Sequence, residues 1–331
     1  MQPAPRRAAA AKPMIKIAIL GAGAMGSLFG ARLAEAGHDV TLLDINAAHL
    51  DAIRRHGLRL QTDEADRRVQ GMQAMRPEQA GAIPDLLIVF TKTMHTRAAM
   101  AGVRHLLGPE TIVLTLQNGL GSVETICEFV PAQRVLIGIT TWPADLVGPG
   151  HVQSHGEGVI RMMSADGVDR PAVAGTVAAL DRAGMHCKAD ADVWAAIWEK
   201  VAFNAALNPL CAVTGSTVDQ LGSIPDGPAL AFAVVGEVLA VARSHGVAVD
   251  ADKVGASVLH AIERHIGHKP SMLQDILAAR CTEIDAINGA VVAAARRHGV
   301  PVPCTEALMQ LVRLIETRAA GHGLDASPVL H

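Results

Sequence analysis

Three closely spaced glycines, Gly21, Gly23 and Gly26, constrain the fold of this chain more than any other feature. They follow the apolar run IKIAIL, which predicts a buried strand, and they open a pattern typical of a helix; the run DVTLL then predicts a second strand. In such a unit, this spacing allows a tight turn, a close approach of backbone to a pyrophosphate, and close packing of helix on strand. The alternative is an ordinary glycine-rich turn. The pattern favours a dinucleotide site formed by Gly21, Ala22, Gly23, Ala24, Met25 and Gly26.

Asp44 ends the second predicted strand, where a dinucleotide's adenosine ribose would lie. A carboxylate at this place can accept hydrogen bonds from the ribose and repels a 2′-phosphate, which favours NADH over NADPH. Residues 45–48 offer no cation for a phosphate, although Arg54 and Arg55 can reach back from the next predicted helix. The alternative is that Asp44 caps the N-terminus of that helix.

Further apolar runs at 86–90, 112–116 and 135–139 predict strands of a parallel sheet that is buried on both faces. The glycine-rich segment 148–161 alternates, and it predicts a small antiparallel addition to that sheet. After about residue 190 the periodicity is helical. The predicted helices lie near 191–207, 228–245, 251–266, 272–298 and 303–318.

These patterns predict an α/β fold, in which an N-terminal Rossmann-type doubly wound sheet is followed by an all-helical C-terminal domain. A length of 331 residues suits two domains. We expect a mobile N-terminal extension over 1–13, a dinucleotide-binding domain over 14–189, and a helical substrate-binding and catalytic domain over 190–331. The extension lacks the apolar run of a secretory signal.

The composition argues against several classes of partner. A net charge of −3 and an aromatic content of 2% do not suit a surface that binds nucleic acid. Five scattered cysteines without a CxxC pair argue against a disulfide framework or a thiolate metal site and suit a reducing cytoplasm. The longest uncharged stretch, 201–218, contains Pro209 and Gly215, so we expect no membrane span. We expect no metal site either. His151 and His155 form an H-x-x-x-H pattern, but they lie in a strand-like segment, where residues four apart do not share a helical face, and no acidic third ligand is evident.

Lys200, Asn204 and Asn208 stand four residues apart and share one face of a predicted helix. Polar groups aligned within an apolar segment are costly to bury unless they find partners or line a polar cavity. The spacing therefore favours a functional cleft. The alternative is a solvated helix face from which Lys200 extends into water.

Taken in order, these motifs resemble those of a known family over about residues 15–315. The matching pieces are G-A-G-A-M-G, the T-K of 91–92, the Q-N-G of 117–119, Gly138 followed by P-G-H-V, K-x-x-x-N-x-x-x-N from Lys200, and K-P-S-M-L-Q-D-I…R-C-T-E-I-D-A-I-N-G of 269–289. The chain resembles the ketopantoate reductases (2-dehydropantoate 2-reductases) of the 6-phosphogluconate-dehydrogenase-like superfamily. The resemblance implies reduction of 2-dehydropantoate to (R)-pantoate, a step toward pantothenate, with NADPH or NADH.

The resemblance also implies roles for individual residues. Lys200 is similar to the family's general acid, and Glu283 to the acidic partner that orients it. Asn204, Asn208 and Ser271 match positions that bind the substrate. Lys92 and Asn118 match positions at the nicotinamide end of the cleft. The alternatives are that Glu283 is a capping residue, that Ser271 is a turn residue, and that Lys92 and Asn118 are merely polar loop residues.

Two positions differ from the family's pattern. Family members commonly carry a basic residue just after the second strand, whereas Ile45 follows Asp44 here, and a substrate-contacting Asn of some members falls on Val218. Two other functions therefore stay open: an NADH-dependent reductase of another branched 2-oxo acid, and a non-catalytic protein that senses dinucleotides. We expect a small 2-oxo acid as partner, and the apolar helical half can supply a homodimer surface. We expect Asp275 and Arg280 to form a structural pair.

Overall fold

The computed structural model describes residues 14–321, so the extension expected over 1–13 lies outside the described residues. The strands all precede residue 190. They are β1 (Lys16–Leu20), β2 (Asp39–Leu43), β3 (Leu58–Thr62), β4 (Asp66–Val69), β5 (Gln73–Met75), β6 (Leu86–Val89), β7 (Ile112–Thr115), β8 (Val135–Thr140), β9 (Asp145–Gly148), β10 (His151–Ser154), β11 (Ile160–Ser164) and β12 (Cys187–Ala189).

The helices connect these strands and then form the whole C-terminal half. They are α1 (Ala24–Glu35), α2 (Ala47–His56), α3 (Thr96–Gly102), α4 (Ser122–Cys127), α5 (Pro171–Arg182), α6 (Val193–Thr214), α7 (Val218–Ser223), α8 (Gly227–Ser244), α9 (Ala251–Arg264), α10 (Ser271–Leu277), α11 (Ala290–His298) and α12 (Pro303–Gly321). Single 3₁₀ turns span Pro77–Gln79, Thr93–His95, Arg104–Leu106 and Ala132–Arg134, and a π-helical turn spans Asp285–Gly289.

The main sheet has eight strands in the order β12-β11-β8-β7-β6-β1-β2-β5. The strands from β8 to β5 are parallel to one another, β11 runs antiparallel to β8, and β12 is parallel to β11. The chain passes from β1 to β2 on one side and later returns to β6 on the other. This reversal beside β1 is where doubly wound sheets bind ligands. The predicted Rossmann-type sheet is confirmed.

A second sheet of four strands, in the order β4-β3-β10-β9, was not predicted. The expectation that the whole of 148–161 joins the main sheet is therefore wrong for β10, which pairs with β3 and β9; only β11, which begins at Ile160, adds to the main sheet. Between β10 and β11, Gly156 has a φ of +82°. A Cβ on Gly158 would lie 2.3 Å from the backbone N of Trp142. The glycines let the chain leave one sheet and enter the other.

The helical half is organised around α6, whose 22 residues pack against α8, α9, α10 and α12. Small side chains on α6, Ala202, Ala205 and Ala206, are fully buried and permit close approach of its neighbours. The helix ends at Gly215, which adopts the left-handed conformation that glycine tolerates at a helix C-terminus. This all-helical half is also as predicted.

One predicted helix, 272–298, is wrong. α10 ends at Leu277, Ala279 has a φ of +50°, and the helical path resumes at the π-helical turn before α11. The backbone N–H of Arg280 donates to the carbonyl of Asp275 over 2.8 Å, which closes the turn. The short helix α7 was also not predicted; Thr217 and Gln220 cap its N-terminus reciprocally.

Within residues 14–321, α8 is the helix that is long and apolar enough, by length and composition, to cross a membrane. In this structure it packs against α6, α9, α11 and α12, and the side chains of Val234, Val238 and Val241 are fully buried.

The glycine turn provides a test of this packing. A Cβ on Gly26 would lie 1.9 Å from the carbonyl oxygen of Gly21. We expect Gly26→Ala to lower the free energy of unfolding by about 1–3 kcal/mol, because the turn and α1 must move apart. Urea unfolding of Gly26→Ala measures this change.

Gly23→Ala is the matched control, since nothing lies within 4 Å of that Cβ and its φ of −64° suits alanine. We expect this variant to keep the wild-type stability. A Gly26→Ala protein as stable as Gly23→Ala would contradict the close contact.

Candidate functional site

The glycine turn lies at the carboxyl end of β1. Gly21 has a φ of +97°, and a Cβ there would lie 2.6 Å from the backbone N of Thr91, so only glycine fits between the ends of β1 and β6. Gly23 is the N-cap residue of α1, no side chain caps this helix, and the space around Gly23 is open. Free N–H groups beside open space suit the pyrophosphate of a dinucleotide, so the turn fits the expected cofactor.

Asp44 braces this turn. Its Oδ2 accepts from the backbone N–H of Ala22 over 2.7 Å, and its Oδ1 accepts from that of Asn46 over 2.8 Å. The alternative that Asp44 caps α2 is wrong, because Asn46 is the N-cap residue and its side chain accepts from the N–H of His49 over 3.2 Å. A negative charge therefore stands at the end of β2, beside the glycine turn.

Two arginines, Arg54 and Arg76, are candidates to bind a phosphate near Asp44. Arg54 forms an ion pair with Asp51 and donates to the carbonyl of Ala74. Arg76, which follows β5, donates to the carbonyl of Ile45 over 3.4 Å and pairs with Glu78 over 2.6 Å. Sequence analysis missed Arg76, because its position depends on the pairing of β5 with β2.

Glu283 extends from the loop between α10 and α11 to groups of the N-terminal half. Its Oε1 lies 3.4 Å from the backbone N of Thr93 and 3.5 Å from its Oγ1, and its Oε2 accepts from Nδ2 of Asn118 over 3.4 Å. Burial raises the pKa of Glu283, while the hydrogen bonds from the backbone N–H of Thr93 and the amide of Asn118, and the charge of Lys92, act in the opposite direction. Glu283 is thus a partly buried carboxyl whose ionised form these donors favour.

Lys200 lies on α6, and its Nζ donates to the carbonyl of Thr140 at the end of β8 over 2.8 Å. Burial lowers the pKa of Lys200 to about 8, and the negative charge of Glu283 acts in the opposite direction. The two groups therefore form an acid–base pair, with Lys200 on α6 and Glu283 in the loop between α10 and α11. A lysine with a pKa near neutral can release and regain a proton.

Lys92 connects the two halves of the chain. Its Nζ donates to the carbonyl of Cys281 over 2.6 Å and lies 2.8 Å from Oδ2 of Asp275, which is buried. Arg280 also pairs with Asp275, over 2.9 Å. Asp275 is thus a structural residue that holds two cations, and its contact with Lys92 was not predicted.

Asn204 and Asn208 lie on α6 beyond Lys200, and Ser271 begins α10, which packs on α6. Asn208 is buried and Ser271 is exposed. Within residues 14–321 none of the three side chains has a hydrogen-bond partner. Their amide and hydroxyl groups are therefore available to a ligand.

A cleft of about 860 Å³ lies between the main sheet and the helical half. Its lining includes Lys200, Asn118, and the tryptophans Trp194 and Trp198. The glycine turn, Glu283 and the free amides of α6 are not part of this lining. The structure thus brings Lys200 and Asn118 to one cavity and joins Asn118 to Glu283 by a hydrogen bond. Among the described residues, Ser271 makes no hydrogen bond to any of these three.

Two family descriptions match the chain and together cover most of it. Residues 17–167 match ketopantoate reductase PanE/ApbA, and residues 192–316 match the C-terminal region of ketopantoate reductase PanE/ApbA. A 2-dehydropantoate 2-reductase of Streptococcus pyogenes serotype M6 is 33% identical over 90% of this chain and 97% of its own length. One from Halobacterium salinarum is 33% identical over 91% of this chain and 99% of its own.

Solved structures agree with these relatives. A D-mandelate dehydrogenase with NADH and anilino(oxo)acetate has a TM-score of 0.88 at 31% identity, over 92% of this chain and all of its own. A PanE/ApbA family ketopantoate reductase from Ralstonia eutropha JMP134 has a TM-score of 0.85 at 32% identity, over the same shares. The chain belongs to the ketopantoate reductase family of NAD(P)-dependent oxidoreductases.

Proposed function

We propose that this protein reduces the ketone of 2-dehydropantoate to give (R)-pantoate, with Lys200 as the general acid. The observation that carries the proposal is the partly buried ammonium of Lys200, held at the end of β8 and coupled through charge to the partly buried carboxyl of Glu283. A reduced nicotinamide supplies a hydride when it is bound. The protein must then supply a proton and a positive charge to the oxygen that becomes an alcohol.

Lys200 can supply both. Its Nζ gives one proton to the ketone oxygen as negative charge develops there, and the resulting neutral amine regains a proton from solvent. Ionised Glu283 favours the ammonium form of Lys200 before the transfer, against the effect of burial. This division of roles explains why a carboxyl acts through its charge on a partly buried lysine.

The free side chains of α6 and α10 support a role in substrate binding. The amides of Asn204 and Asn208 can donate to a carboxylate or hydroxyl oxygen, and the hydroxyl of Ser271 can donate to a carboxylate. A small 2-oxo acid offers such acceptors. The buried amide of Asn208 in particular gains a partner when a polar ligand binds.

For the cofactor we propose a preference for NADH. The charge of Asp44 beside the glycine turn disfavours a 2′-phosphate, and the guanidinium of Arg76 is already paired with Glu78. The D-mandelate dehydrogenase of similar fold was crystallised with NADH.

A second candidate is an NADH-dependent reductase of another branched 2-oxo acid. It is favoured by Val218, whose side chain is 2% exposed at a position where some family members carry a substrate-contacting Asn. An apolar buried residue cannot replace that polar contact.

We expect purified protein to oxidise NADH or NADPH in the presence of 2-dehydropantoate, and Lys200→Ala to lower kcat by about 10²-fold or more, since both the proton and the charge are lost. The Kd of the dinucleotide should stay near the wild-type value. Lys188→Ala, on exposed β12, is the matched control and should retain activity. Full activity in Lys200→Ala would exclude the general-acid role; turnover only of other 2-oxo acids would favour the second candidate.

The pH dependence of reduction follows from the same lysine. Because Lys200 must be protonated and its pKa is about 8, kcat/KM should fall as the pH rises through about 8 and be highest below it. Lys200→Arg keeps the charge at all accessible pH values, so its residual activity should lack this alkaline limb. An alkaline limb that persists in Lys200→Arg would assign it to another group.

Asp44→Asn should shift the cofactor preference. Removing the charge should raise the ratio of kcat/KM for NADPH to that for NADH by about tenfold, which corresponds to about 1.4 kcal/mol. Steady-state kinetics with both cofactors measures the ratio, and Asp252→Asn, at an exposed aspartate of α9 in the helical half, is the control. An unchanged ratio in Asp44→Asn would mean that this carboxylate only braces the glycine turn.

A further inference from the structure

Thr93 touches the proposed acid–base pair although no sequence pattern singles it out. It begins the 3₁₀ turn after β6, and it is 190 residues away in sequence from Glu283. Its backbone N lies 3.4 Å and its Oγ1 lies 3.5 Å from Oε1 of Glu283, so two groups of one residue meet the same carboxyl oxygen. The same Oγ1 lies 3.1 Å from the carbonyl oxygen of Asn118.

We propose that Thr93 is a positioning residue, whose hydroxyl and backbone N–H hold the Glu283 carboxyl where it acts on Lys200. This inference rests on the proposed function, because it assigns Thr93 a part in the acid–base chemistry of that site. Thr93 itself touches neither Lys200 nor, in the proposed reaction, the substrate.

The hydroxyl of Thr93 suits both protonation states of Glu283. It carries one proton and has two acceptors within reach, the carboxyl oxygen and the carbonyl of Asn118. When Glu283 is ionised, the hydroxyl can donate to Oε1. When Glu283 is protonated, its own O–H can donate to Oγ1, and the hydroxyl then donates to the carbonyl of Asn118.

The backbone N–H of Thr93 is different, since it can only donate. Together with the amide of Asn118 it favours the ionised carboxylate, whereas burial favours the protonated form. Removing the hydroxyl leaves the backbone donor in place and withdraws one donor from the carboxylate. Ionised Glu283 then becomes less stable. Because the charge of Glu283 favours the ammonium form of Lys200, that form becomes less stable too.

Thr93→Val tests the hydroxyl alone, because valine keeps the shape of the side chain and the backbone N–H but lacks the hydroxyl. At low pH Glu283 takes up a proton and loses the charge that orients Lys200, so the proposed mechanism also gives kcat/KM an acidic limb. We expect Thr93→Val to move this acidic limb to higher pH by about one unit, the size of effect typical of one hydrogen bond to a charged group. The alkaline limb should stay near its wild-type position, since Glu283 is ionised there in both proteins. KM for the 2-oxo acid should change little, and Thr93→Ser should restore the acidic limb.

Thr62→Val is the matched control. Thr62 also donates its hydroxyl to a backbone carbonyl, that of Ala65, but in the four-stranded sheet. We expect Thr62→Val to leave both limbs of the pH profile unchanged. If losing any threonine hydroxyl altered the profile, Thr62→Val would show the same change as Thr93→Val. If Thr93→Val does not fold, as judged by its thermal unfolding, Thr93→Ala takes its place.

A second measurement does not depend on turnover. The carboxyl carbon of Glu283, assigned in NMR spectra by its loss in Glu283→Gln, can be titrated in wild type, Thr93→Val and Thr93→Ser. A pKa raised by about one unit in Thr93→Val and restored in Thr93→Ser supports the proposal. An unchanged titration and acidic limb in Thr93→Val overturn it. Failure of the wild type to reduce any 2-oxo acid would instead overturn the proposed function, and the titration would still decide the role of Thr93.

Discussion

The contact of Glu283 with the N-terminal half is the interaction on which the rest of the site depends. A carboxyl buried without donors would be strongly disfavoured as an anion. Its donors, Thr93 and Asn118, belong to the sheet half, whereas Glu283 and Lys200 belong to the helical half. The acid–base pair therefore has its full set of contacts only while the two halves are together.

The backbone at this junction is built for close approach. Gly119 has a φ of +83°, and a Cβ on it would lie 2.2 Å from the carbonyl oxygen of Ala286. The next N–H, that of Leu120, donates to this carbonyl over 2.9 Å. The glycine of the Q-N-G motif thus has a packing reason: it brings the loop with Asn118 against the turn that follows Glu283. The Lys92–Asp275 pair adds a charged contact at the same junction.

The glycine turn is held from two sides by a chain of hydrogen bonds. Asp44 accepts from the backbone N–H of Ala22. The hydroxyl of Ser27 donates to the carbonyl of Ala22 over 2.8 Å, and it lies 3.1 Å from Nε2 of His49. Nδ1 of His49 accepts from the N–H of Gly150 over 3.0 Å, so the ring is neutral with its proton on Nε2; burial, which lowers the pKa of His49, agrees. The second sheet, joined through Gly150, therefore helps to fix the turn to which a dinucleotide would bind.

The parts of this arrangement that sequence could predict are those set by local periodicity. The glycine turn lies where β1 meets α1, and the row from Lys200 to Asn208 lies within α6; both are found where their spacing predicts. Strand β3, the break after α10 and the positions of Arg76 and Thr93 depend on partners far along the chain. Their residue types are unremarkable, and no periodic pattern distinguishes them before the partner is known. The break after α10 is stabilised by Asp275, which pairs with Lys92 of the sheet half and with Arg280 of the helical half.

The balance on Lys200 shows why such long-range contacts matter to the proposed chemistry. Burial alone would favour the neutral amine, which has no proton to give; a strong ion pair alone would hold the proton too firmly. Burial opposed by the charge of Glu283 places the pKa at about 8, where the ammonium predominates at neutral pH and still gives up its proton readily. Since the ionisation of Glu283 depends on donors from the sheet half, so does the charge on Lys200. Under the proposed mechanism, the contact between the halves therefore sets the acidity of the proton donor as well as its position.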